Sequence, residues 1–341
     1  MKTVYSPAHK NHQPAQEFFE AKLIPFQETA TRAENILQAV RAANLGEVIS
    51  PRDFGLAPIL AAHDADYITY LQGAYAVWVQ AGLDEVGVYA DTFPIRKMPH
   101  KPSGPLGQAG FYAMDLTAVI VRGTWQAAYS SAQCALMAAQ LVANGDRAAF
   151  ALCRPPGHHA QRDLAGGYCF INNAAVAANW LAQAGAKVAV LDVDFHHGNG
   201  TQEIFYQRDD ALFVSIHAHP DRQYPYFSGG ADERGTGRGR GFNFNYPLEK
   251  GVSDARYLAV LDGACADVTR FAPNFLVVSL GVDTFGGDPL GDFALTGAAF
   301  AQIGARIAKL NLPTAFVMEG GYAVDALGQN VLGVLRGFEE E

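Results

Sequence analysis

Long apolar runs, paired cysteines and an excess of positive charge are all missing from this 341-residue sequence, and each absence narrows what the chain can be. No stretch reaches the roughly 18–20 apolar residues of a membrane span, and the start "MKTVYSPAHK" lacks the apolar core of a secretory signal. The four cysteines (Cys134, Cys153, Cys169 and Cys265) show no CxxC spacing and sit mostly in apolar stretches. They read as reduced core thiols, which places the chain in the cytoplasm. A formal charge of −9 disfavours nucleic acid, whose phosphates reward a basic patch, and suits a cationic substrate. Charged residues are only 17% of the chain against 49% hydrophobic, the balance of a large buried core. No repeat, low-complexity tract or composition break divides the chain, so residues 1–341 read as a single domain.

What is present is alternation. Helical periodicity runs through "ETATRAENILQAVRAANLG", "DADYITYLQGAYAVWVQAG" and "TWQAAYSSAQCALMAAQLVANG", each closing on glycine. Short β-rich runs then alternate with helices: 148–153, 187–194, 211–217, 275–280 and 314–319. Such runs predict an α/β fold, a doubly wound and mostly parallel sheet flanked by helices on both faces. Polar residues gather just after these strands, where open parallel sheets bind ligands. The stretch 86–124 is loop-rich and proline-containing, an insertion of the kind that builds functional or interaction surfaces. The glycine-rich "FSGGADERGTGRGRGFNFN" does not open a helix after a strand, so dinucleotide binding is discounted there.

The segment "DVDFHHGNG" follows the apolar "KVAVL" and places two carboxylates and two imidazoles within six positions. Read as a strand, it turns Asp192, Asp194 and His196 to one side and Val193 and Phe195 to the other. A capping or turn cluster does not require that many groups which resist burial. Asp194 and His196, with Asp283 from "SLGVDTFGGDPL", would offer two oxygens and one nitrogen to a cation. Three protein ligands leave a fourth position open, the catalytic arrangement for Zn²⁺, and such ligation also accepts Fe²⁺, Co²⁺ or Mn²⁺.

"CRPPGHHAQRD" adds His158 and His159 on a turn stiffened by Pro155 and Pro156. One imidazole can take a proton from water while the other supports the reaction electrostatically. Asp192 is a natural partner for His158 and would favour its charged form; Asn199 could hold His159 without adding charge. "VMEGGY" supplies Tyr322, either an oxyanion donor or an ordinary half-buried tyrosine, with Gly320 and Gly321 as hinges. His197 and His217 read as anchors of strand ends, and His9, His12 and His63 as structural.

Taken together, "RPPGHHA", "GYCFINNAA", "LDVDFHHGNGTQEIF", "VSIH", "SLGVDTFGGDPL" and "MEGGY" resemble, in order, the motifs of the histone deacetylase superfamily and its arginase-like fold. "YSPAHKNHQP" and the long loop are most similar to its bacterial acetylpolyamine amidohydrolase branch. The resemblance implies Asp194, His196 and Asp283 as metal ligands, His159 as general base and acid beside His158, and Tyr322 as oxyanion donor. It implies Gly167 and Tyr168 as one channel wall and Tyr224 as the other. It also implies a K⁺ near Asp192, Asp194, His196, Ser215 and Ile216, and a homodimer built through the 86–124 loop. Arginases need a further acid for a second metal; Gly281 stands at that place here, which argues against guanidine hydrolysis.

The expected reaction is hydrolysis of an acetylated polyamine or similar small cationic amine to free amine and acetate. A wider-mouthed deacetylase of protein acetyl-lysine or small acyl amines is the alternative, and a non-catalytic acetylamine-binding module is disfavoured. Glu17, Asp91 and Asp115 are the acids expected at the channel rim to read the substrate's charge.

Overall fold

The computed structural model describes residues 1–19, 21–94, 100–183 and 185–341. Its centre is an eight-stranded sheet in the order β4-β1-β5-β10-β9-β6-β7-β8. These strands are β1 (Lys2–Val4), β4 (Val48–Ile49), β5 (Ala148–Ala151), β6 (Val188–Asp192), β7 (Ala211–Ala218), β8 (Asn243–Leu248), β9 (Phe275–Leu280) and β10 (Thr314–Met318). Every pairing between them is parallel. A separate antiparallel hairpin joins β2 (Gln16–Phe19) to β3 (Lys22–Pro25). The helices are α1 (Ala30–Ala42), α2 (Ala57–Leu60), α3 (Ala65–Gln80), α4 (Pro105–Phe111), α5 (Thr124–Ala143), α6 (Asn173–Ala182), α7 (Asn199–Phe205), α8 (Asp254–Phe271), α9 (Gly297–Ala308) and α10 (Val324–Glu339).

The five strand runs and the three glycine-terminated helices lie where the periodicity puts them. The glycines after those helices, Gly46, Gly82 and Gly145, all have positive φ. Of the sheet strands outside those five runs, β1 and β4 are only three and two residues long. The insertion 86–124 holds the short helix α4, which starts on Pro105 as a first-turn residue; its residues 95–99 lie outside the described residues.

One difference bears on the site. Strand β6 stops at Asp192, so Asp194 and His196 are not strand residues. Their amides are taken by side chains: Asp192 Oδ1 accepts from the Asp194 N–H at 3.1 Å, and Asp194 Oδ1 from the His196 N–H at 2.8 Å. These local bonds compete with the sheet ladder and end it. The side-chain alternation nevertheless persists, with Val193 and Phe195 both buried in the core.

The chain visits β5, crosses to β6, β7 and β8, and returns to insert β9 and β10 into the centre. The four central strands β5, β10, β9 and β6 therefore release their carboxyl-end loops side by side. Helices α9 and α10 close one face through glycine contacts. A Cβ on Gly304 would lie 1.9 Å from the Val334 carbonyl oxygen, and one on Gly337 2.0 Å from that of Ala301. Gly304→Ala should force these helices apart and cost about 1–3 kcal/mol, read as a lower denaturant midpoint with unchanged slope. A wild-type midpoint would show that the contact yields freely.

Candidate active site

The loops after β6, β9 and β10 meet on one donor set. Ligand atoms of Asp194, His196 and Asp283 all lie within 4.8 Å of one another. His196 Nδ1 is 3.4 Å from Asp194 Oδ1 and 3.0 Å from Asp283 Oδ2. The remaining carboxylate oxygens face backbone amides: Gly320 N–H donates to Asp194 Oδ2 at 2.8 Å, and Phe195 N–H to Asp283 Oδ1 at 2.9 Å. Both carboxylates are fully buried. Burial, then the charge of Asp194, pushes Asp283 up to about 7. His196, despite burial, is pushed up to about 9 by its bonds to Asp194 and Asp283. A proton on that imidazole supplies the positive charge two buried carboxylates demand, and a divalent cation would supply it better. The donor set therefore fits a metal ion, and the carboxylate, imidazole and carboxylate together suit the divalent transition ions.

Glycines make room for this cradle. A Cβ on Gly281 would sit 1.9 Å from Asp194 Oδ2, and one on Gly320 2.4 Å from Asp283 Oδ2. No side chain fits at Gly281, so a second metal bridged by an acid there is sterically barred.

The tandem histidines come from the loop after β5. His158 Nδ1 donates to Asp192 Oδ2 at 3.0 Å, and its Nε2 is 3.8 Å from Asp194 Oδ1. Burial opposes charge on His158, but Asp194 and Asp192 outweigh it and push the imidazole up to about 10. His159 Nδ1 donates to the Asn199 carbonyl oxygen at 2.7 Å, while the Asn199 amide points to Met114 Sδ at 3.5 Å. This arrangement leaves His159 Nε2 as the lone-pair nitrogen. Burial first, then the neighbouring imidazoles of His158 and His196, holds His159 well below the usual histidine range.

A cavity of about 350 Å³ opens over these groups, lined by His159, His196 and Tyr322 at its floor and by Gly167, Tyr168, Tyr224, Phe18, Phe19 and Leu290 along its walls. Gly167 has φ +53°, and a Cβ there would strike the His159 ring at 2.3 Å. Asp115 lies on the wall, accepting from the Tyr224 hydroxyl at 2.5 Å and the Gly167 N–H at 2.9 Å. Glu17 is not at the rim. Strand alternation in β2 turns it fully inward, where burial pushes it up to about 7 and it accepts the Tyr168 hydroxyl at 2.9 Å. Asp91 is exposed and does not line the cavity. Arg222, which sequence reasoning passed over, does line it and is paired with Glu249 at 2.5 Å.

Other supporting groups were equally unassigned. Glu28 is fully buried between two arginines, 2.6 Å from Arg32 and 3.0 Å from Arg154. Arg154 then holds the carbonyls of His9 and His12, and Arg32 those of Glu319 and Gly321 beside Tyr322. Glu319 Oε2 accepts from the Gly157 and His158 amides at 2.6 and 3.1 Å, fixing the histidine turn. A signal for Arg32 did exist: it shares the buried stripe of α1 with Ile36 and Val40, an anomalous charge at helical spacing.

His63 Nε2 accepts the Asn172 amide at 2.9 Å and His12 Nδ1 meets Thr124 Oγ1 at 2.9 Å, while His9 faces Glu34. His197 and His217 reach Ser228 Oγ and the Gly229 carbonyl, so they anchor the glycine-rich insertion as well as the strand ends. Asp192 and Ser215 are paired across β6 and β7, with Ile216 next in β7.

Comparison with known proteins places this geometry. The histone deacetylase domain matches residues 26–338. "Acetylpolyamine amidohydrolase 1" of Pseudomonas aeruginosa is 51% identical over 343 residues, covering 99% of each chain. "Acetylpolyamine amidohydrolase" of Mycoplana ramosa is 44% identical over 339 residues, again covering 99% of each. A crystal structure of acetylpolyamine aminohydrolase from Burkholderia pseudomallei superposes with a TM-score of 0.95 at 42% identity, covering 99% of this chain and 98% of that one. With the domain running through both the cation cradle and the tyrosine loop, the chain belongs to the histone deacetylase family.

Proposed function

We propose that this protein is a metal-dependent deacetylase that hydrolyses the amide of N-acetylated polyamines to free amine and acetate. The observation that carries the reading is the donor set of Asp194, His196 and Asp283, whose His196 lines a cavity together with His159 and Tyr322. Full-length similarity to several acetylpolyamine amidohydrolases supports the substrate class.

Zn²⁺ is the ion we assign to Asp194, His196 and Asp283, with Fe²⁺, Co²⁺ and Mn²⁺ as acceptable substitutes; when bound it polarises the amide carbonyl and acidifies water. His159, neutral and with Nε2 free, takes the proton of the attacking water. Tyr322 donates its hydroxyl to the oxyanion that develops on the carbonyl. His158, backed by Asp192, stays charged and supports the same oxyanion electrostatically; a cation on Asp194 leaves Asp192 as its main support. His159 then returns its proton to the departing amine.

The walls suit a slender chain. Gly167, Tyr168 and Tyr224 line the cavity, and Asp115, which holds both the Tyr224 hydroxyl and the Gly167 N–H, is the acid we assign to the substrate's ammonium group. Asp192, Asp194, His196, Ser215 and Ile216 are the residues we assign to a structural K⁺; Ser215 Oγ lies 2.8 Å from His217 Nδ1 and keeps lone pairs for such an ion. We also assign a homodimer contact to the 86–124 insertion, where Leu106 and Val86 stand exposed. No helix among the described residues is long and apolar enough to cross a membrane. All four cysteines are unpaired, which fits a cytoplasmic setting.

Four outcomes test the reading. Acetate release from acetylputrescine should outpace release from an acetyl-lysine peptide; the reverse order would move the assignment to protein substrates. Chelation should abolish activity and returned Zn²⁺ restore it, while Tyr322→Phe should keep its metal and lose about 10²–10³-fold in kcat. Asn199→Asp would put a carboxylate on His159 Nδ1 and raise its pKa by about 1–3 units. The base must be deprotonated to act, so a raised pKa moves the acid limb of the kcat/KM profile to higher pH. An unmoved acid limb would remove His159 from the role of base.

A further inference from the structure

The loop that delivers Asp283 also carries Asp288, a nearly buried carboxylate outside the cation cradle. Its Oδ2 accepts the Tyr322 N–H at 2.6 Å and the Ala323 N–H at 2.9 Å, while its Oδ1 accepts the Leu290 N–H at 3.0 Å. Leu290 packs against the Phe26, Tyr168 and Tyr322 cluster. Tyr322 needs such a hold because the segment before it cannot be stiffened by side chains. A Cβ on Gly320 would collide with Asp283, and Gly321 sits at φ +129°. The helix that follows offers no help, since its N-cap is Ala323, which has no capping side chain. Arg32 grips the carbonyls of this segment, and Asp288 is the acceptor for its amides.

We propose that Asp288 is a positioning residue for the reaction, tying the Tyr322 backbone to the loop that bears Asp283 and so fixing the phenol's distance from the cation. The proposal rests on Tyr322 acting as oxyanion donor. Charge-assisted bonds to two consecutive amides orient a peptide unit, and misplacement of a reacting group by about 1 Å can cost on the order of 10²-fold in rate. The same carboxylate would leave substrate binding nearly untouched, because it faces backbone and not the cavity.

The test is a double-mutant cycle on the metal-loaded enzyme with acetylputrescine as substrate. Asp288→Ala should lower kcat by about 10²-fold with KM and metal content close to wild type. In the Tyr322→Phe background the same change should cost little more, because the group it positions is already gone. Asp288→Asn keeps the shape and loses the charge, and serves the same comparison should the alanine variant fold poorly. An equal fold-loss in both backgrounds, or no loss in either, would overturn the proposal. Full turnover by Tyr322→Phe alone would instead overturn the oxyanion role itself.

Discussion

Buried negative charge that no side chain of this protein fully neutralises is the constraint on which the site depends. Asp192, Asp194, Asp283 and Glu319 are each completely excluded from solvent at the carboxyl ends of neighbouring strands. Carboxylates so placed cost several kcal/mol apiece unless paired. The protein meets part of that demand with His158 and His196 and part with backbone amides. What remains between Asp194 and Asp283 a bound cation would relieve. Binding of such a cation would therefore also stabilise the central loops.

Carboxylates in this protein divide by what faces them. Asp283 turns one oxygen to an amide and one to the cradle, while Asp194 accepts an amide on each oxygen and turns Oδ1 to the cradle as well. Glu28, Asp288 and Glu319 lie outside the cradle, where they bind arginines or amides and hold the loops that carry His158, His159 and Tyr322. Glu17 and Asp115 form a further class, each holding the hydroxyl of a cavity-wall tyrosine. Channel shape is therefore set by acids as firmly as the reaction centre is.

The strand and helix pattern was legible because continuous apolar runs and 3.6-residue stripes are local signals; five central strands and the long helices can be read directly. Strands of two or three residues, such as β1 and β4, leave no such trace, because their pairing is decided by partners far along the chain. The ligand types in "DVDFHHGNG" were legible for a different reason: polar groups that resist burial stood where a buried strand ends. Their backbone was not, since Asp192 and Asp194 capture the next amides and end the strand early. Glu17 was expected at the rim because a cationic substrate calls for acids there; the hairpin pairing of β2 with β3 turned it inward.

By itself the sequence determined the layer architecture and the chemical inventory: which acids, imidazoles and phenol exist, and that glycines flank them. Periodicity and residue chemistry are properties of short segments, so they survive without a fold. Only the tertiary structure decided which oxygen faces which proton. Gly320 N–H reaches Asp194 across 126 residues, and His158 finds Asp192 across 34. Such pairings follow from strand order in the sheet, where β9 and β10 enter between β5 and β6 after the rest is laid down in sequence. No local rule encodes that insertion, because its driving force is the burial of two central strands on both faces at once.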